Sequence, residues 1–191
     1  MFVICMGFSM KKTRQIAQCS VFIALALVLS YIERFIPLQM FIPLPGIKLG
    51  LANIVTLVAL YLLGKGSAVT ILVLRCVLGA VFGGGITGLM FSLTGGIFSV
   101  AVMAMVRRVP CFSIYGVSIL GAAAHNVGQI CAAMVLMQSV YIIGYLPYLL
   151  LVGLFTGFAT GSAAAGILRV LPSGLEEQKG DEGSLFEKNA G

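Results

Sequence analysis

Two residues able to do chemistry stand inside otherwise apolar stretches. His125 lies in Ala124-His125-Asn126-Val127-Gly128-Gln129, and Arg75 follows Ile71-Leu72-Val73-Leu74. On a helix His125 and Gln129 share a face, because they are four residues apart, and Asn126 lies beside them. Such a patch either lines a substrate cavity or hydrogen-bonds neighbouring helices, and Gly128 lets a helix or a ligand come close. Arg75 either binds an anion or gates a passage, or it bonds helix carbonyls; facing lipid would be costly, so it is expected to turn inward. A lone histidine without nearby carboxylates or thiolates makes a poor metal site, so no metal is expected.

A second group surrounds a proline-rich stretch. Tyr31-Ile32-Glu33-Arg34 precedes a segment with Pro37, Pro43 and Pro45 that ends at Lys48. Three prolines make it extended and stiff. Its apolar residues suit either a lid over an outer pocket or a re-entrant or interfacial segment that only packs. Glu33 is the one acid before the C-terminal tail and has Arg34, Lys48, Arg75 or a cationic ligand group as possible partners. Asn53 is expected to point into the same space. The candidate substrate-binding set is therefore Glu33, Lys48, Asn53, Arg75, His125, Asn126 and Gln129. Arg75 and Lys48 would answer anionic groups, and the amides would fix orientation.

Other chemistries find no residues. There is no Walker A sequence, so ATP hydrolysis of the P-loop kind is not expected. No aspartate occurs outside the tail, whereas a magnesium-dependent prenyl or phosphoryl transferase needs clustered carboxylates. Cys5, Cys19, Cys76, Cys111 and Cys131 have neither CxxC spacing nor an even count, and read as small apolar packing residues. The expectation is a protein that is not an enzyme and holds no cofactor.

These residues need elements to position them. Of 191 residues 60% are hydrophobic and 9% charged, against about a quarter charged in a soluble domain. The surrounding solvent must be lipid, and the long continuous apolar runs favour helices over a barrel. Six helices are expected, at 16–35, 49–63, 67–82, 87–106, 113–137 and 141–169, in an all-α membrane bundle. Gly83-Gly84-Gly85 marks either a turn or an unwound stretch, and the last run is long enough to tilt or to break near Pro147. Lys11, Lys12 and Arg14, then Lys65, then Arg107 and Arg108, then Arg169 fall at alternate ends of the runs. That pattern puts both termini in the cytoplasm. Arg34 and Lys48 are an exception, lying in an outer loop. The basic residues form no stripe of the kind that binds nucleic acid.

The expected organisation is a cytoplasmic N-terminal segment 1–15, one membrane domain 16–170 with an outer loop 36–48, and a mobile charged tail 171–191. Met10, followed by lysines, reads as a more natural start than Met1, the alternative being a dangling apolar N-terminus. Gly153, Gly157, Gly161 and Ala165 recur every four residues, as do Gly79 and Gly83, and both strings predict grooves for close helix contact. Ser20 and Ala24 form a weaker version, with packing inside the chain or a partner protein as its use.

The order Glu33, then Pro45-Gly46-Ile47-Lys48-Leu49-Gly50-Leu51-Ala52-Asn53-Ile54-Val55, then Leu74-Arg75, then His125-Asn126-Val127-Gly128-Gln129 resembles the bacterial Gx transporter family, also labelled heptaprenyl diphosphate synthase component I. The resemblance covers roughly residues 11–170. That family is similar to the substrate-binding S components of energy-coupling factor importers. The resemblance implies a six-helix protein of the bacterial cytoplasmic membrane that binds a small metabolite from outside. A transmembrane coupling protein and two ATPases would be its partners. It would make the loop 36–47 a lid, the His125 patch a pocket, and Ser20 and Ala24 a coupling surface. The synthase label fits poorly, since prenyl synthases use aspartate-rich metal motifs; it ties the family to isoprenoid or quinone metabolism. Flavins, quinone precursors, vitamins and isoprenoid diphosphates all fit as substrates. The rival reading is a non-catalytic membrane subunit or scaffold of a prenyl synthase or redox system.

Overall fold

The computed structural model describes residues 2–33, 35 and 50–170, with side-chain placement from residue 13 onward. The proline-rich loop 36–48 and the tail 171–191 lie outside the described residues. Six α-helices account for nearly all of the rest: α1 Phe2–Glu33, α2 Asn53–Leu62, α3 Gly64–Gly79, α4 Gly85–Val106, α5 Ile114–Met137 and α6 Leu146–Val170. Among the described residues there is no strand. Five helices are long and apolar enough to cross a membrane, and the chain is a multi-pass membrane protein. Large apolar side chains face outward on every side, among them Val28, Val77, Phe98, Val135 and Phe155, which is the surface lipid requires.

Most helix boundaries follow from the sequence, and the departures have local causes. α1 does not stop at its basic residues but runs back to Phe2, because Lys and Arg are good helix formers. Ser113 caps α5, its hydroxyl accepting from Gly116 N at 3.4 Å. Between α3 and α4 a π-helical segment, Ala80–Gly84, ends in a break. Gly83 (φ 99°) and Gly85 (φ 63°) take left-handed conformations that a side chain would strain. The expected Gly79–Gly83 groove is therefore only half realised. Gly79 approaches Leu27 of α1, while Gly83 turns the chain. The last apolar run breaks where expected: a 3₁₀ segment, Val140–Tyr145, precedes α6, and Pro147 occupies its first turn.

α2 is the element that departs most. Gly50 has φ 82°, and the helix starts only at Asn53, with ten residues instead of fifteen. It rises about 15 Å, half of a roughly 30 Å hydrocarbon core. Seven of its ten residues are buried, so it lies within the bundle, packed on α1, α3, α4 and α6. Its C-terminus is fastened at the basic end of the molecule. There Arg107, just past α4, donates to Leu60 O and stacks its guanidinium over the Tyr61 ring, 4.7 Å from the centroid. Gln15 on α1 and Ser67 on α3, bonded at 3.0 Å, belong to the same end. The N-terminus of α2 therefore stops about midway through the bundle.

Candidate functional site

The midpoint where α2 begins is also where the polar side chains meet. Arg75 lies eleven residues along α3 from Gly64 and hence about 16 Å up from the basic end, the depth of the first residue of α2. Its Nη2 donates to Asn53 Oδ1 at 3.3 Å, and the side chain is only 6% exposed. Glu33, the last residue of α1, is buried, and its Oε1 accepts from Gly50 N at 2.5 Å. That bond ties the end of α1 to the approach to α2, residues 17 apart in sequence. Glu33 is also within electrostatic reach of Arg75. The carboxylate thus accepts from a backbone N–H, a partner the sequence did not suggest, and lies near Arg75, one of those it did.

His125 completes the cluster from the opposite wall. Its ring lies between two glycine backbones. A Cβ on Gly50 would sit 3.2 Å from its Cδ2, and a Cβ on Gly95 of α4 only 2.8 Å from its Cε1. Gly50 is likewise within reach of Asn53 Nδ2, so one glycine touches the side chains of α2 and α5 together. Gln129, one turn beyond His125 on the same face, is fully buried, and among the described residues neither its amide oxygen nor its nitrogen has a hydrogen-bond partner. Arg75 Nε has none either.

Of the seven predicted site residues, Glu33, Asn53, Arg75 and His125 are brought together around Gly50, with Gln129 adjoining along α5. Asn126 turns the other way. Its Nδ2 donates to Leu149 O of α6 at 2.7 Å, so it fastens two helices. Lys48 lies outside the described residues. Ser20 and Ala24 are exposed on the outer face of α1 rather than packed within the chain, Ser20 Oγ bonding only to Ile16 O of its own helix. Among the described residues no group of three His, Cys, Asp or Glu could hold a metal. Sequence reasoning missed Gly95. Gly95 is one of 24 glycines, and only its contact with the His125 ring sets it apart.

Fold and site together define an all-helical, multi-pass membrane protein with a buried cluster of polar and ionisable side chains. The family described as heptaprenyl diphosphate synthase component I matches residues 22–167, and the chain belongs to that family. No curated protein and no solved structure matches the chain.

Proposed function

We propose that this chain is the membrane-embedded substrate-binding subunit of an importer of the energy-coupling factor kind, taking up a small metabolite. The observation that carries the reading is the gathering of Glu33, Asn53, Arg75 and His125 around Gly50 at the start of a half-length helix. Ionisable groups at mid-depth are expensive and mark substrate paths. A helix that begins there directs the positive end of its dipole into the protein, as in transporters built on interrupted helices. Lys48, two residues before Gly50, belongs to the proposed site as a second cation. Asn126 supports it from behind by holding α5 against α6. In this reading the chain performs no catalysis, and ATP is hydrolysed by partners. The exposed small residues Ser20 and Ala24 on α1 are the proposed coupling surface, and the basic end of the bundle faces the cytoplasm of a bacterial cell.

A second reading is favoured by the family description itself, which makes the chain one component of a prenyl diphosphate synthase. It would then be a membrane scaffold for a soluble enzyme. Affinity capture of the tagged protein from its own membranes separates the two. Import predicts a transmembrane coupling protein with its ATPases. Capture of a soluble prenyl synthase alone would overturn import in favour of the scaffold.

A further inference from the structure

The Gln129 amide is the least satisfied polar group in the candidate site. The side chain is 0% exposed, and among the described residues both Oε1 and Nε2 lack a hydrogen-bond partner. Burying a donor and an acceptor unpaired costs stability, and in an apolar bundle an aliphatic side chain of similar volume would serve folding better. Folding alone does not account for a glutamine here. Gln129 lies one turn from His125, whose ring touches Gly50, and Gly50 leads through Asn53 to Arg75, whose Nε is also unpaired.

We propose that Gln129 recognises the substrate by an amide, lactam or imide edge, an N–H beside a C=O, through two parallel hydrogen bonds. Gln129 Nε2 donates to the ligand carbonyl, and the ligand N–H donates to Gln129 Oε1. A group that only accepts, such as a phosphate, can satisfy Gln129 Nε2 but leaves Gln129 Oε1 unpaired. The substrate class is therefore a compound with a nitrogen heterocycle or amide at this end, whatever charge it carries elsewhere. The inference rests on the cluster being a binding site, and is independent of whether the bound molecule is imported.

The test measures melting of the purified full-length protein in detergent, with uracil or with inorganic pyrophosphate up to their solubility limits. Uracil carries the proposed edge without charge; pyrophosphate is an anionic acceptor. The expected result is a rise in melting temperature with uracil and none with pyrophosphate. Gln129→Met and Gln129→Leu should each melt at or above wild type without probe, and should weaken uracil binding at least about tenfold. Two apolar shapes are used so that a packing mismatch in one does not decide the outcome. If both variants melt lower, the amide serves the fold and the proposal is overturned. It is equally overturned by a shift with pyrophosphate alone, or by no shift with uracil. Co-purification of transport partners reports on import separately, so either reading can fail without the other.

Discussion

The seam between α5 and α6 and the cluster around Gly50 are both rich in polar and small residues, yet they use them in opposite ways. Along the seam the buried polar side chains Ser118, Thr160 and Asn126 all have partners across the interface. Ser118 and Thr160 share a hydrogen bond of 2.8 Å, and Asn126 bonds Leu149 O. Gly157 brings α6 so close that a Cβ there would sit 2.8 Å from Ile119 Cα, and one on Gly161 3.2 Å from Tyr115 Cα. Around Gly50 the backbone is left-handed, the helix is half-length, and Gln129 and Arg75 keep unpaired atoms. Polarity alone therefore does not mark a site in a membrane protein. Satisfied polar groups hold helices together, and unsatisfied ones next to broken backbone are held for something else.

The largest effect on this contrast should come from the seam. Gly157→Leu pushes a side chain against the backbone of Ile119, which cannot move aside as a flexible side chain would. Destabilisation of about 3 kcal/mol is expected, read as a lower melting temperature in detergent. The same variant, where folded, should retain its bound small molecule. Loss of the ligand at unchanged stability would place the seam within the site. A smaller change is expected for Asn126→Ala, which removes one interhelical bond and should cost about 1 kcal/mol with ligand binding intact. Ligand loss there would return Asn126 to the pocket.

How much of this was legible in the sequence depends on whether an interaction is local. The apolar runs and the alternating basic residues announce the helices, because membrane burial acts on each run separately. His125 and Gln129 share a face by their spacing alone. The break before α6 follows from Pro147. The short α2 was not legible: Leu49, Leu51 and Ala52 continue its apolar pattern, and only the left-handed Gly50 interrupts it. The helical extension of α1 through Lys11, Lys12 and Arg14 shows the converse, since charge ends a membrane span without ending a helix. The Glu33–Gly50 bond joins residues 17 apart in sequence, and nothing local foretells it. Asn126 and His125 are neighbours in sequence with different tasks, because adjacent helical positions face different helices.

The central claim is that the cluster around Gly50 binds a small molecule, and Arg75 is its most exposed point to attack. The most direct measurement is native mass spectrometry of the protein gently extracted from its own membranes, comparing wild type with Arg75→Ala and Arg75→Gln. The glutamine variant keeps an amide for Asn53 while removing the charge. The account predicts a bound small molecule on wild type, its loss from both variants, and unchanged helix content by circular dichroism. Both variants folding and still carrying the same molecule as wild type would contradict it.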